Sequence, residues 1–274
     1  MLMKHSLIYF FLFLVINFSL GLTASFAQDI SISPVVLKLN GKPGETINSV
    51  IKISNSGKST YEFQVSIKDW KRDSIGTKIY SEPGTTPHSN AKWVSFPETD
   101  FSLKAGERKE FPIYLQIPRD IDLSQSSNSM LFITQVNPFD GETNNKAIGI
   151  KVSYEFGVQL LYTPPMAELG DLVFQNLEFN SKTVENKSLV KVTIQNTGSV
   201  HKNGAVSVEL TNKITGEEFK LNPKNFAIMP LDTQYIYFKI PDSVIPGEYL
   251  LIALLDAGKD TDLKVAEKNI HVQD

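Results

Sequence analysis

The chain has 274 residues, no cysteine, and a formal net charge of −3 from 27 Lys and Arg against 30 Asp and Glu. A mildly acidic chain without a basic run is a poor partner for nucleic acid and gains no attraction to an anionic membrane surface. Without cysteine, the chain has no disulfide framework and cannot carry the lipid-modified cysteine of a bacterial lipoprotein.

The first 27 residues have the form of a secretory signal peptide. Lys4 supplies the positive charge, an apolar stretch follows, and Ser25-Phe26-Ala27 has the small residues of a cleavage site before Gln28. No comparable apolar run recurs, so we expect no membrane insertion of the mature chain. An uncleaved anchor is the alternative, because the apolar stretch approaches the length of a membrane span. Export without cysteine indicates a bacterial periplasm or cell surface.

After the signal segment, the sequence has the pattern of an all-β protein. Tyr61, Phe63, Val65 and Ile67 alternate with polar residues, and several other short runs have the same period of two. Clusters of Gly, Pro, Asn and Ser separate these runs and predict turns. The pattern is typical of β-sandwiches.

Two blocks of the first half recur in the second half in the same order. Residues 189–210 echo residues 49–67, with Asn196-Thr197-Gly198 in the place of Asn55-Ser56-Gly57. In the same way, the block that begins at Phe226 echoes the block that begins at Phe101. Repeated blocks in one order predict two domains of one architecture.

A proline pair lies between the two halves. Thr163-Pro164-Pro165 ends the preceding strand, because a proline cannot donate a backbone hydrogen bond to a ladder. We therefore predict two tandem immunoglobulin-like β-sandwich domains, residues 28–163 and 167–274. Residues 164–166 form the predicted Pro-rich linker between them.

The longest alternating run, IGIKVSYEFGVQLLY, covers residues 148–162. At roughly 3.3 Å per residue, it predicts a strand of about 50 Å with one apolar face. A strand of that length exceeds the sheet of one small domain, so part of its apolar face lacks a partner within the chain. A strand that bends at Gly149 or Gly157 and serves two sheets of one core is the alternative. The apolar positions are Ile148, Ile150, Val152, Tyr154, Phe156, Val158, Leu160 and Tyr162.

The sequence carries no pattern of catalytic or metal-binding residues. His88, His201 and His271 lie in separate elements, and none has a second ligand at metal-binding spacing. No glycine-rich phosphate loop and no G-x-S-x-G motif is present. We therefore expect a binding protein that is not an enzyme and has no cofactor or metal. Trp70 and Trp93 are predicted to pack in a core or at its edge.

Three segments resemble the PapD-like periplasmic pilus chaperones. They are WVSFPETDFSL (residues 93–103), MLFITQVNPFDGETNNKAIGI (residues 130–150) and VQLLYTPP (residues 158–165). The last one stands where the family has an Ile-Lys-Leu-Phe-Tyr-Arg-Pro segment that closes the first domain. The resemblance covers about residues 28–166, whereas the second domain is equally similar to generic bacterial immunoglobulin-like modules. It implies a periplasmic chaperone of pilin or other surface-protein subunits.

The family adds the strand before this closing segment to an incomplete pilin sandwich, with alternate side chains filling the pilin groove. The resemblance implies that the client contacts come from this strand, and it implies an outer-membrane usher as a further partner. The implied binding residues are Ile148, Ile150, Val152, Tyr154, Phe156, Val158 and Gln159.

The sequence departs from the family at the residues that anchor the client's terminal carboxylate. Family members use an Arg in the first strand and a Lys in the closing segment. The corresponding positions here are Pro34-Val35 and Gln159, none of them basic. Gln159 can donate a hydrogen bond, but it has no charge, so we expect the ionic anchor to be missing.

A cell-surface or cell-wall adaptor built from two immunoglobulin-like binding modules is the alternative function. The tandem plan and the second domain fit it equally well. The gene neighbourhood distinguishes the two, since pilin or usher genes favour a chaperone and large adhesin genes favour an adaptor.

Overall fold

The computed structural model describes residues 29–137, 152–181, 188–258 and 261–273. Within these ranges the chain is nearly all β, and it forms two tandem immunoglobulin-like sandwiches, which confirms the predicted fold class. A short 3-10 turn, Ala91–Trp93, interrupts the strands. The strands of the first sandwich are β1 (Ile30–Ser33), β2 (Val36–Asn40), β3 (Thr46–Asn55), β4 (Tyr61–Arg72), β5 (Lys78–Ser81), β6 (Val94–Ser95), β7 (Asp100–Leu103), β8 (Arg108–Gln116), β9 (Ser127–Gln135) and β10 (Glu155–Thr163).

The first sandwich consists of two sheets, and β1 and β2, the first two strands of the chain, lie in different sheets. One sheet has the order β1-β3-β8-β6, and the other has the order β2-β10-β9-β4-β5 with β7 also paired to β4. The chain crosses from the first sheet to the second between Ser33 and Val36. Period-two alternation produces the core, since Phe111, Ile113 and Leu115 of β8 are buried and their neighbours in the strand are exposed or partly exposed.

The second sandwich has a three-stranded sheet, β11-β12-β16, and a five-stranded sheet, β14-β13-β17-β18 with β15 paired to β13. Its core extends from Leu172 to Val272, and the core of the first sandwich extends from Ile30 to Tyr162. The boundary at residues 164–166 lies between these cores and stays a prediction. The strands are β11 (Leu172–Asn180), β12 (Leu189–Asn196), β13 (Lys202–Asn212), β14 (Glu218–Lys220), β15 (Lys224–Ile228), β16 (Thr233–Lys239), β17 (Gly247–Asp256) and β18 (Lys264–Val272).

The predicted strand over residues 148–162 is wrong at residues 152–154, which precede the strand. The strand begins at Glu155, and residues 148–151 lie outside the described ranges. Just before it, a single backbone hydrogen bond continues the ladder, from the Gln135 amide to the Tyr154 carbonyl at 2.8 Å. The other contacts there use side chains, because Ser153 Oγ donates to the Gln135 carbonyl and the Tyr154 amide donates to Gln135 Oε1. The bent-strand alternative does not hold for β10 either, since β10 lies in a single sheet.

The repeated Asn-x-Gly segments have a common structural role, which Asn55 illustrates in the first sandwich. Its side chain is buried, and its Nδ2 donates to the carbonyls of Ser59, Leu103 and Lys104 at 2.8, 3.1 and 2.9 Å. Its Oδ1 accepts the amide of Gly57 at 2.9 Å. One side chain thus satisfies backbone groups from two separate turns at the end of the sandwich.

Asn196 repeats this arrangement in the second sandwich. Its Nδ2 donates to the carbonyls of Val200 and Met229 at 2.8 and 3.0 Å, and its Oδ1 accepts the Gly198 amide at 3.0 Å. In both sandwiches the amide group binds the carbonyl four residues further on and a carbonyl just after a distant strand. The repeated Asn-x-Gly segments of the two halves therefore make the same hydrogen bonds in the two sandwiches.

We predict that Asn55→Ala and Asn196→Ala each lower the free energy of unfolding by roughly 1–3 kcal/mol, because each leaves buried carbonyls without a donor. Urea unfolding followed by circular dichroism measures the loss. Asn48→Ala is the matched control: Asn48 lies exposed on β3, and this change should cost less than about 0.5 kcal/mol. Equal effects at all three positions would contradict the structural role.

Candidate functional site

One side of β10 is only partly covered by its neighbour. On one side, β9 pairs with β10 from Glu155 to Tyr162. On the other side, the parallel strand β2 pairs only with Gln159–Thr163. No strand of the described residues pairs with Glu155–Val158 on that side, so these first four residues of β10 form a free strand edge next to the end of β2.

The groups that face this free edge follow from the alternation of the strand. The Gln159 amide donates to the Val35 carbonyl at 2.9 Å, so the odd-numbered residues of β10 direct their backbone groups toward β2. Glu155 and Gly157 are odd-numbered and exposed, and no described residue pairs with their amides or carbonyls on that side. Two donors and two acceptors are thus available to an added strand.

The even-numbered side chains of the predicted site differ in their exposure. Val152 is 56% exposed, whereas Tyr154 and Phe156 are half-buried against the first core. The Tyr154 ring stacks on Phe156 at 6.0 Å and meets the ring of Tyr61 edge-on at 6.1 Å. Packing against the protein's own core thus occupies part of the surface that was predicted to face a client.

The prediction that Val158 contacts a client is wrong, and two other predicted residues lie outside the described residues. Val158 is fully buried in the first core, so it cannot contact a client in this conformation. The alternation places it inward like Leu160 and Tyr162, deeper in the sandwich than Phe156. Ile148 and Ile150 lie outside the described residues.

The free edge leads to a cleft between the two sandwiches. Gln159 lines this cavity of about 300 Å³ together with Lys38 and Arg72 from the first sandwich and His201 and Lys202 from the second. Three basic side chains therefore surround the residue at which we expected no ionic anchor. Lys38 lies only a few residues beyond Pro34-Val35 on the first strands, so its exposed position in an alternating run was the signal that the sequence offered. Arg72 and Lys202 come from distant strands, and folding alone brings them here.

His201 is the uncharged member of the cleft. Its imidazole packs beside Trp70 with ring centroids 6.2 Å apart, and its Nε2 is buried without a hydrogen-bond partner among the described residues. Burial, and secondarily the charge of Arg72 and His88, lowers the pKa of His201 to about 4. The imidazole is therefore neutral at neutral pH, and the positive charge of the cleft comes from the lysines and the arginine.

Other kinds of site have little support in the described ranges. These ranges contain no group of three His, Asp or Glu side chains arranged to hold a metal ion. They also contain no helix that is long and apolar enough to cross a membrane.

Comparisons with known proteins give a likeness of fold. No family model and no curated protein matches the sequence. Similar solved structures include the CsuC–CsuE chaperone–tip adhesion subunit complex of Acinetobacter baumannii, with 14% identity, coverage of 87% of this chain and 97% of that chain, and a TM-score of 0.48. The SafA pilin–SafB chaperone complex of Salmonella enterica has 14% identity, coverage of 89% and 98%, and a TM-score of 0.46. The E. coli chaperone DraB has 12% identity, coverage of 89% and 97%, and a TM-score of 0.44.

We predict that His201 makes the stability of the protein fall between about pH 6.5 and pH 4. Over this range His201 is protonated in the unfolded chain but stays neutral in the folded one, because burial lowers its pKa. The folded state therefore keeps its full stability above about pH 6.5 and loses this part of it as the pH falls toward 4. The shift corresponds to a loss of up to about 3 kcal/mol. Urea unfolding of His201→Gln between pH 7 and pH 4 should give a flatter profile than the unaltered chain.

The control for this prediction is His271→Gln. The side chain of His271 is 56% exposed and lies beside Glu248, so its removal should leave the decline between pH 6.5 and pH 4 in place. A profile for His201→Gln that is as steep as that of the control would show that the decline has another source.

Proposed function

We propose that this protein is a periplasmic chaperone-like protein that binds pilin or other surface-protein subunits by β-strand addition. The free edge at Glu155–Val158 is the observation that carries the proposal. A client strand placed there continues the sheet beyond the end of β2 and takes up the unpaired groups of Glu155 and Gly157. Strand addition of this kind covers an edge of the client and assists its folding and assembly. This activity is binding, and we expect no catalysis.

Backbone pairing alone is too weak to hold a client. Four hydrogen bonds at about 1 kcal/mol each amount to about 4 kcal/mol, which corresponds to a millimolar affinity before other costs. Tyr154 and Phe156 contribute only their remaining exposed surface, because the first core already covers the rest. Val152 is more exposed and gains more from burial. We also propose Ile148 and Ile150, which lie outside the described residues, as client contacts.

The basic cleft at the end of the free edge offers a place for a negatively charged group of the client. Lys38, Arg72 and Lys202 come together there although neither family anchor position is basic. Burial lowers the pKa of Arg72, with a smaller opposing effect from Tyr80, and a guanidinium with so high an ordinary pKa still keeps its charge at neutral pH. We propose that these side chains, with Gln159 as a neutral donor, bind the terminal carboxylate of the client.

Export to the periplasm is part of the proposal, with the cell surface as the alternative and an outer-membrane usher as a further partner.

We predict cleavage after Ala27, because Ser25-Phe26-Ala27 follows the apolar stretch. N-terminal sequencing of the exported protein should begin at Gln28 or within a residue or two. A mature protein that retains the apolar segment would be anchored, contrary to the proposal.

We predict that Val152→Asp reduces client capture at least tenfold, because it places a charge in an apolar contact. The fold should be unaffected, with a change in unfolding free energy within about 0.5 kcal/mol, since the side chain is exposed. The measurement pairs quantitative co-purification of clients from the periplasm with thermal unfolding of the same variant. Val265→Asp on β18, where Val265 is 52% exposed, is the matched control and should capture normally.

A second pair of variants tests the backbone contacts. Glu155→Pro removes an amide that faces the free edge, whereas Glu155→Ala keeps the amide and changes only the side chain. The proline variant should lose capture and the alanine variant should keep it. Normal capture by both Val152→Asp and Glu155→Pro would refute strand addition at this edge and favour the adaptor alternative.

We predict that Lys38→Gln weakens client capture several-fold and makes it less sensitive to salt, because a charged contact in the cleft is lost. Lys52→Gln is the control, since Lys52 is also exposed but lies on the outer face of β3. Titration of sodium chloride during client capture measures both effects. Identical salt dependence for the two variants would show that the cleft does not bind a charged group of the client.

A further inference from the structure

The hairpin formed by β4 and β5 reaches from the first sandwich to the second. The carbonyl of Ser74 in its turn accepts the amide of Tyr235 at 2.7 Å. Tyr235 lies in β16, which pairs with β12 on one side. The hairpin turn, residues 73–77, therefore binds the other side of a strand that belongs to the second sandwich.

The hairpin turn is held in one conformation by its own side chains. Asp73 Oδ1 accepts the amides of Ile75 and Thr77 at 3.0 and 2.8 Å, and the Asp73 amide donates to the Thr77 carbonyl at 3.0 Å. Arg72 Nη1 donates to the Gly76 carbonyl at 2.6 Å. Because the turn is closed in this way, the Ser74 carbonyl is presented to β16 without a further loss of conformational freedom.

Gly76 brings the hairpin turn into close contact with the second sandwich. Its φ of +87° lies in the left-handed region that favours glycine. A Cβ at this position would lie 2.4 Å from Nε2 of Gln234, a side chain that is only 5% exposed. A larger residue here would therefore require the Gln234 side chain or the hairpin turn to shift.

Two further contacts join the sandwiches next to the hairpin. Trp70, in the same strand as Arg72, packs with Met229 of the second sandwich and with His201. The Ser126 amide donates to the Ser199 carbonyl at 2.9 Å. Domains joined by a short linker and a modest interface are expected to move relative to each other unless specific contacts prevent it.

We propose that the hairpin turn, residues 73–77, is an interdomain clasp that fixes the orientation of the two sandwiches and so sets the width of the basic cleft. Lys38 and Arg72 line the cleft from one sandwich and Lys202 lines it from the other, so their separation depends on that orientation. The clasp also covers one backbone donor of β16, and Lys224 Nζ covers the neighbouring Tyr237 carbonyl. The edge of β16 is thus covered at two points, whereas the edge of β10 at Glu155–Val158 is free.

The experiment measures the distance between the two sandwiches with paired spin labels. The chain has no cysteine, so the exposed residues Lys52 and Glu267 can be changed to cysteine and labelled without interference. We expect a single narrow distance distribution for the unaltered clasp and a clearly broader one for Gly76→Ala. Gly106→Ala is the matched control, because its φ of +74° carries the same backbone strain while nothing lies within 4 Å of its added Cβ.

The clasp assignment is overturned if Gly76→Ala keeps the narrow distribution, or if Gly106→Ala broadens it to the same extent. Adding Gln234→Ala to Gly76→Ala removes the obstructing amide and should narrow the distribution again. A measurement on the unaltered chain is independent of how the variants fold: the Tyr235 amide should be protected from hydrogen exchange. Exchange as fast as that of an open strand edge would refute the contact with Ser74.

Discussion

The partial pairing of β2 with β10 is the constraint on which the rest of the candidate site depends. Val158, Leu160 and Tyr162 anchor β10 in the first core, and the Tyr162 hydroxyl donates to the Gly41 carbonyl at 2.9 Å. The chain enters β2 only after it has crossed from the other sheet, so β2 begins too late to cover Glu155–Val158. Because β2 begins only after this crossing, the edge of β10 at Glu155–Val158 stays without a partner strand among the described residues.

Trp70, in β4 of the same sheet, connects this sheet to the second sandwich. Its Nε1 donates to the Ser129 carbonyl at 3.0 Å, and its ring covers Met130 on the outer face of the sheet. This packing contributes to the burial of β9 on both faces, which is unusual in a sandwich whose outer faces normally meet water. The second sandwich therefore does more than follow the first along the chain, since it provides one wall of the cleft into which the free edge leads.

The sequence-based interpretation was wrong where side-chain contacts interrupt regular strand pairing, and it was incomplete where distant residues meet. Alternation predicted that residues 152–154 continue the strand, but the Gln135 side chain and carbonyl bind Tyr154 and Ser153 there, and β10 begins at Glu155. Alternation also cannot tell how deep an inward residue lies, so Val158 and Val152 looked equivalent although one is fully buried and the other is exposed. No pattern in the sequence associates Arg72 with Lys202.

The sequence by itself determined the all-β class, the tandem plan and the repeated Asn-x-Gly segments, because these depend on period-two alternation and on turn residues close together in the chain. Only the tertiary structure decided how far β2 extends along β10, which positive charges surround Gln159, and that Ser74 binds Tyr235. These features depend on contacts between residues far apart in the chain. Such contacts are selected by the packing of whole sheets, and a local pattern of side chains does not contain them.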